Sequence, residues 1–245
     1  MHLDIPQKIV GHVNQEWIDS LQKFLLENDE DWYADDYRKG AENVATSDTI
    51  PLRHSYRCGG PYAHNNTEWN SPNLDYRSVK NRILHDKYEP YIRPFLNKIK
   101  EIYPNGTEYM YMLTRLAPGA KIGGHTDNGI FARCCHRVHI PIQTHPEVEY
   151  LIAEYTDEKS NYGEGLITPY YWSTGNIYEF SNERWHAVHN NSDVNRIHLI
   201  FNVYNFSEEI KNLDAILEND KEQYNKVIND IIHYYTYISN GIDRI

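Results

Sequence analysis

The sequence predicts a mainly β protein in which helices flank an antiparallel core of sandwich or jelly-roll type. Apolar residues recur at helical spacing before residue 104 and again after residue 206, whereas residues 108–206 contain short runs rich in Tyr, Ile and Val, separated by turns. Aromatic residues make up 13% of the 245 residues, including 21 Tyr and 5 Trp. They supply the apolar area for a folded core although the mean hydropathy is only −0.73.

The amino-terminal part, residues 1–107, is predicted to contain two helices and an irregular rim. The helices are predicted over residues 15–27 and 77–103, because both stretches repeat large apolar side chains on one helical face. In the second helix that face comprises Ile83, Tyr88, Ile92, Phe95 and Ile99. Residues 29–76 are rich in Asp, Asn, Gly and Pro, so we expect them to be irregular and to lie at the surface.

Residues 108–206 are predicted to form the β core, and residues 207–245 return to helical spacing. The predicted strands are "EYMYMLTRLA" from residue 108, "RVHIPIQT" from 137, "VEYLIAEY" from 148, "NIYEFS" from 176 and "RIHLIFNVYN" from 196. The chain has no internal repeat and no low-complexity linker. We therefore interpret residues 1–245 as a single domain.

Composition excludes several classes of function. A net charge of −11 argues against a protein that binds nucleic acid by neutralising phosphates. The three cysteines have no CxxC spacing, which argues against a disulfide framework and a thiolate zinc site. No run of apolar residues is long enough to cross a membrane. We expect a cytoplasmic protein, and the sequence predicts no oligomeric state.

The stretch "GGHTDNGIF" places His125 and Asp127 two positions apart. In an extended segment the two side chains share one face and could chelate one divalent metal ion. A second histidine would complete the two-histidine, one-carboxylate triad of non-haem Fe(II) oxygenases, which leaves three coordination positions open. Such a pair alone is more often turn or surface chemistry. We expect Gly123 and Gly124 to let the backbone turn beside the metal.

A histidine and an arginine further along the chain strengthen the metal hypothesis. His186 lies 61 residues after His125, far enough to return across a β-sandwich. Arg196 stands at the head of an apolar strand, where an unpaired charge would cost several kcal/mol. Its partner is either a structural carboxylate, since the chain has 35 acidic residues, or a dicarboxylate cosubstrate that also chelates the metal.

Four segments, read in order, resemble a known family. They are "YMLTRLAPGAKIGGHTD", "RVHIPIQT", "GNIYEFSNERWHAVHN" and "DVNRIHLIFNV". Over roughly residues 108–205 they resemble the aspartyl/asparaginyl β-hydroxylase family of Fe(II)- and 2-oxoglutarate-dependent dioxygenases. The resemblance implies a double-stranded β-helix (jelly roll, cupin-like) core. It also implies hydroxylation of an amino acid, a peptide side chain or a related small molecule, with Fe(II), 2-oxoglutarate and dioxygen as cofactor and cosubstrates.

Carried over residue by residue, the resemblance implies a complete site. The implied metal ligands are His125, Asp127 and His186. The residues implied to bind 2-oxoglutarate are Arg196, Arg137, His139 and Thr114. Arg196 matches the arginine that binds the far carboxylate. Residues 155–174 are longer and richer in tyrosine than the family pattern leads us to expect, and the helical segments outside 108–205 match no known pattern. We expect both to form the substrate mouth.

Other residues compete for these roles. His189 is the alternative third ligand, and His198 shares a strand face with Arg196, as a pocket or core residue would. The remaining candidates are His136 and His145, expected in loops, Arg133 as a substitute for Arg137, and Cys134 and Cys135, expected to pack as small apolar groups.

Two rival functions also fit parts of the pattern. A cupin-like metalloenzyme with non-oxygenase chemistry would use the same triad but would not need Arg196. A non-catalytic β-sandwich binding module would use a groove lined by tyrosines such as Tyr170 and Tyr171.

Overall fold

The computed structural model describes residues 5–34, 47–55, 79–127, 135–154, 166–182 and 184–204. The predicted helices of residues 207–245 lie outside these ranges, as do Arg133, Cys58 and Cys134. None of the helices in the described part of the chain has the length and hydrophobicity needed to cross a bilayer.

The described residues form two α-helices, one short 3₁₀ helix and eleven strands. The helices are α1 (Gln15–Glu27), the 3₁₀ helix (Asp29–Tyr33) and α2 (His85–Ile102). The strands are β1 (Gln7–His12), β2 (Ser47–Ser55), β3 (Val79–Asn81), β4 (Glu108–Leu116), β5 (Lys121–His125), β6 (Cys135–Gln143), β7 (Val148–Ala153), β8 (Ile167–Tyr170), β9 (Asn176–Phe180), β10 (His186–Asn190) and β11 (Arg196–Tyr204).

The strands build two antiparallel sheets, as a jelly roll requires. The larger sheet has the order β1-β9-β6-β11-β4-β2-β3, and the smaller has the order β5-β10-β7-β8. Apart from the pairs β2–β3 and β7–β8, neighbouring strands are not consecutive in the chain, which is typical of a double-stranded β-helix rather than of a meander. The predicted fold class, mainly β with a jelly-roll core, is therefore confirmed.

Strand β11 lies between β4 and β6 in the larger sheet, and all nine of its residues are buried. Alternation divides its side chains between two faces. Leu199 and Phe201 join the core formed with α1 and α2, whereas Arg196 and Ile200 line a cavity on the opposite face. The same alternation places Thr114 of β4 on the cavity side. A polar site can therefore occupy one face of β11 while the other face of this strand packs in the apolar core.

Both predicted amino-terminal helices are present, but only the ends of the first were predicted correctly. Helix α1 spans the predicted residues, and the Asn14 side chain caps it by accepting a hydrogen bond from the backbone N–H of Glu16. Helix α2 begins at His85 rather than at residue 77, because β3 takes up residues 79–81. Ile83 precedes the helix and is 78% exposed, so its predicted place on the apolar face is wrong.

The prediction that residues 29–76 form an irregular surface rim is wrong for Ser47–Ser55. This segment is strand β2, which pairs with β4 and buries Ile50 and Leu52. Pro51 lowers the strand signal because it cannot donate to a ladder. A register shift between Pro51 and Arg53 accommodates it.

Candidate metal and cosubstrate site

The three candidate metal ligands converge at one end of the smaller sheet. His125 is the last residue of β5 and His186 the first of β10, and the two are paired across the strands. Asp127 follows two residues beyond β5, with Oδ1 3.6 Å from Nε2 of His125. One ligand atom from each residue lies within 4.8 Å of the others. Strand pairing therefore brings together residues separated by 61 positions.

Hydrogen bonds to the backbone orient both histidine rings. Nδ1 of His125 lies 2.8 Å from the carbonyl oxygen of Gly123, and Nδ1 of His186 lies 2.8 Å from that of Arg184. Because a carbonyl only accepts, each Nδ1 carries a proton and donates it. Each neutral ring then has its lone pair on Nε2, as a metal-binding histidine requires. Burial lowers the pKa of His186 to about 4, which keeps its ring neutral.

Asp127 is held as a carboxylate. Its Oδ2 lies 3.2 Å from Nη2 of Arg137. Burial opposes ionisation, but the charge of Arg137 and the neighbouring histidines outweigh it and lower the pKa of Asp127 far below its ordinary value. Burial also disfavours the charged form of His125, whose pKa is nevertheless raised by Asp127. Two imidazoles and one ionised carboxylate form a donor set that fits a divalent transition metal.

Gly124 has a different role from the expected turn. Neither Gly123 nor Gly124 has a positive φ, and both belong to β5. A Cβ atom on Gly124 would overlap the ring of Trp185 and would lie 2.7 Å from its Nε1, whereas one on Gly123 would meet nothing within 4 Å. Trp185 directly precedes His186. Gly124 thus allows a close contact between the two segments that carry the histidines.

Arg196 lies in the same cavity with three neutral hydrogen-bond acceptors. The side chain is 2% exposed. Its Nη1 donates to Oγ1 of Thr114 at 3.1 Å, Nε to the hydroxyl of Tyr150 at 3.1 Å and Nη2 to Nδ1 of His198 at 2.9 Å. Among the residues that the structure describes, no carboxylate forms an ion pair with this guanidinium. Within the described part of the chain, its charge therefore lacks a counter-ion of the kind that buried charges normally require.

The cavity lies between the two sheets and has a volume of about 640 Å³, including its open mouth. Its lining combines the candidate ligands with all four predicted cosubstrate residues, Arg196, Arg137, His139 and Thr114. Nε2 of His139 and Nε of Arg137 are buried there without a hydrogen-bond partner in the described structure. Apolar walls come from Ile122, Ile152, Phe180 and Ile200. A single polar chamber therefore joins the metal ligands to the buried arginine.

The competing residues lie elsewhere or have other partners. His189 is on β10, with Nδ1 4.0 Å from Glu149, and does not line the cavity. His145 follows β6 in a loop, as expected. The loop prediction for His136 is wrong, because β6 begins at Cys135, two residues before the predicted start of the strand. Nδ1 of His136 lies 2.5 Å from Oε1 of Glu179.

The two tyrosines proposed for a binding groove differ in their surroundings. The hydroxyl of Tyr170 donates to Glu154 at 3.0 Å, whereas Tyr171 is 54% exposed. Cys135 is buried, as expected for a small apolar group.

Sequence reasoning missed several residues that line or support the site. They are Tyr150, Trp172 and Trp185. Tyr150 lies in a predicted strand, and its neighbours alternate in polarity, but nothing local distinguishes it from a core tyrosine. Trp172 lies in the tyrosine-rich segment 155–174, which contains none of the motifs that carry the resemblance, so no motif marks it.

The fold and the site together define a jelly-roll protein with a candidate mononuclear metal centre beside a buried arginine. The sequence profile described as aspartyl/asparaginyl beta-hydroxylase matches residues 34–205, which is well over half of the chain. The chain therefore belongs to the aspartyl/asparaginyl β-hydroxylase family and is an enzyme of the hydroxylase class. Among curated proteins, none matches the chain.

Several solved structures are similar to this chain at low identity. EvdMO1 is 16% identical with a TM-score of 0.51, over 83% of this chain and 48% of that one. A prolyl-4-hydroxylase of Pseudomonas putida is 12% identical with a TM-score of 0.47, over 83% and 94% of the two chains. An oxidoreductase of the 2OG-Fe(II) oxygenase family from Burkholderia pseudomallei is 12% identical with a TM-score of 0.41, over 66% and 70%. At these identities the similarity is one of fold.

Proposed function

We propose that the protein is a 2-oxoglutarate- and Fe(II)-dependent dioxygenase that hydroxylates an amino acid, a peptide side chain or a related small molecule. The observation that carries the proposal is a three-residue ligand set in one cavity with a buried arginine that has no carboxylate partner among the described residues. A cupin-like enzyme with non-oxygenase chemistry would use the ligand set but would leave Arg196 without a purpose. A non-catalytic binding module does not agree with the hydroxylase family.

In this proposal, His125 and His186 hold Fe(II) through Nε2, and Asp127 supplies the third ligand. The hydrogen bonds from Nδ1 to Gly123 and Arg184 fix the ring orientations and leave Nε2 unprotonated. When bound, Fe(II) and 2-oxoglutarate supply the oxidation, in which dioxygen gives one oxygen atom to succinate, formed with carbon dioxide, and one to a C–H bond of the substrate. Arg137 keeps Asp127 ionised whether or not the metal is present.

Arg196 and Thr114 bind the far carboxylate of 2-oxoglutarate, because a guanidinium and a hydroxyl together match a carboxylate. His139 and Arg137 line the same cavity, with Arg137 beside Asp127 and His139 beside His198, and both have buried polar atoms without partners in the described residues. The apolar residues of the wall exclude water and so strengthen these polar interactions.

Three sequence predictions remain part of the proposal. The chain forms a single domain over residues 1–245, it acts in the cytoplasm, and it does not bind nucleic acid. The last follows from the net charge of −11.

The decisive experiment measures succinate. The protein is purified under nitrogen, loaded with Fe(II), and exposed to 2-oxoglutarate and dioxygen with a panel of amino acids and peptides. We expect succinate from the wild type and none from His186→Ala, because two ligands hold the metal poorly. His189→Ala, on the same strand but outside the cavity, is the matched control and should retain turnover. The proposal fails if the wild type gives no succinate and binds neither iron nor 2-oxoglutarate.

A further inference from the structure

The hydrogen bonds around Arg196 fix the protonation of His198. Arginine only donates, so Nδ1 of His198, 2.9 Å from Nη2 of Arg196, must carry a lone pair. Nδ1 of His139 lies 3.3 Å from Nδ1 of His198 and donates to it as well. A neutral imidazole has one N–H, which is therefore on Nε2 of His198. Burial, followed by the charge of Arg196, lowers the pKa of His198 well below its ordinary value, in agreement with a neutral ring.

The fixed tautomer of His198 determines what the hydroxyl of Tyr150 can do. Nε2 of His198 lies 2.7 Å from this oxygen, and Nε of Arg196 lies 3.1 Å from it. Both nitrogens carry a proton, so both donate to Tyr150 and occupy the two lone pairs of its oxygen. Burial raises the pKa of Tyr150, so the hydroxyl keeps its own hydrogen. That hydrogen must be directed away from both Arg196 and His198.

The ring of Tyr150 has little freedom to change this arrangement. It is 3% exposed and stacks on Trp172 with ring centroids 4.0 Å apart and an interplanar angle of 13°. Tyr150 lines the cavity next to Arg196 and Thr114, where the proposed function places the far carboxylate. The hydroxyl oxygen of Thr144, which is buried without a hydrogen-bond partner among the described residues, is the alternative acceptor within the protein.

We propose that His198 is a positioning residue that directs the hydroxyl hydrogen of Tyr150 into the cavity, where Tyr150 donates to the far carboxylate of 2-oxoglutarate. The inference rests on the proposed function and deepens it. The far carboxylate then receives hydrogen bonds from Arg196, Thr114 and Tyr150. The third donor favours a 2-oxo dicarboxylate over a 2-oxo acid that ends in a methyl group, because only a carboxylate can accept all three bonds.

Calorimetric binding to the Fe(II)-loaded protein under nitrogen tests the role of Tyr150. The probes are 2-oxoglutarate and 2-oxopentanoate, which has a methyl group in place of the far carboxylate. We expect Tyr150→Phe to weaken 2-oxoglutarate binding by about tenfold to a hundredfold, as for loss of a hydrogen bond to a charged group, and to leave 2-oxopentanoate unchanged. Tyr171→Phe, at an exposed tyrosine, is the matched control. An unchanged affinity in Tyr150→Phe would assign the hydrogen to Thr144 and overturn the inference.

His198→Asn distinguishes the role of His198 in orienting the Tyr150 hydroxyl from its role as a hydrogen-bond acceptor for Arg196. Asparagine retains an acceptor near the position of Nδ1 but has no donor near that of Nε2. We expect it to reduce discrimination between the two probes, and the double variant with Tyr150→Phe to bind like Tyr150→Phe alone, since both act through one hydroxyl. Additive losses would mean that His198 does not act through Tyr150. His12→Asn, at the exposed end of β1, controls for the substitution itself.

A measurement without iron or 2-oxoglutarate distinguishes failure of the inference about His198 from failure of the proposed function. Nitrogen-15 NMR of histidine-labelled, metal-free protein should show His198 neutral and protonated at Nε2. A ring protonated at Nδ1, or a charged ring, would overturn the inference even if 2-oxoglutarate binds. A wild type that shows the expected tautomer but binds no 2-oxoglutarate would instead contradict the proposed function and, with it, the assigned role.

Discussion

Replacing Arg196 with Met tests whether the buried guanidinium serves binding rather than stability. The arginine is 2% exposed and contacts only neutral acceptors among the hydrogen bonds that the described residues make. Methionine fills a similar volume without a charge and adapts to irregular space. We therefore expect the free energy of unfolding and the affinity for 2-oxoglutarate to change in opposite directions.

The size of both effects follows from the surroundings of Arg196. Replacing buried ionic groups by apolar ones of similar volume is neutral or stabilises by about 1–4 kcal/mol, and here no carboxylate in the described structure is left unpaired. Nδ1 of His198 retains a donor, Nδ1 of His139, at 3.3 Å. Loss of a buried charge pair with the ligand costs about 2–5 kcal/mol, which corresponds to about a 30-fold to 4,000-fold loss of affinity.

Urea unfolding and calorimetry measure the two quantities. The wild type should gain thermal stability from 2-oxoglutarate in the presence of Fe(II), and Arg196→Met should not. Arg115→Met is the control, because Arg115 is also buried but is paired with Asp48 at 2.7 Å, so its loss should destabilise the protein without affecting the cosubstrate. A variant that loses more than about 2 kcal/mol of stability and binds 2-oxoglutarate normally would refute the reasoning.

Two further predictions concern the metal site and a buried carboxylate. Gly124→Ala should displace Trp185, lower stability by about 1–3 kcal/mol and weaken Fe(II) binding in a metal titration. Gly123→Ala, with open space at its Cβ, should have none of these effects. Equal affinities of the two variants for Fe(II) would contradict the role of Gly124 in bringing the two histidine segments together. Burial opposes ionisation of Glu179, but its hydrogen bonds to His136 and Lys8 lower its pKa below the ordinary value. The ionised carboxylate therefore stabilises the fold above the pKa of the unfolded state, and this contribution is lost as the pH falls through the lowered pKa of the folded state. Acid unfolding of Glu179→Gln should therefore depend less on pH than that of the wild type.

The sequence predicted the elements whose signal is local. Helix α1 was predicted at its observed ends because its apolar spacing is strong. Strands β4, β6, β7, β9 and β11 were predicted from their apolar content. Strand β2 was missed because its stability comes from pairing with β4, which a polar, proline-containing segment does not reveal.

The individual site residues were named from spacing and from the family resemblance, but their partners were not. Nothing local to "GGHTD" indicates that His125 faces His186 across two strands. The resemblance marked Arg196 but not the neutral character of its three contacts. Tyr150 and His198 take part through rings that approach from different sheets, and sequence separation conceals such contacts.

By itself, the sequence determined the residue types, the strand alternation that puts Arg196, His198 and Ile200 on one face, and the kind of chemistry that two histidines, an aspartate and an arginine can perform. The tertiary structure decided which of these groups meet and which of their atoms carry protons. It did so because pairing between β5 and β10 and packing between the two sheets set distances of a few ångströms between groups dozens of residues apart. Hydrogen bonds form only at such distances, and their direction sets the protonation state and the orientation of each ring.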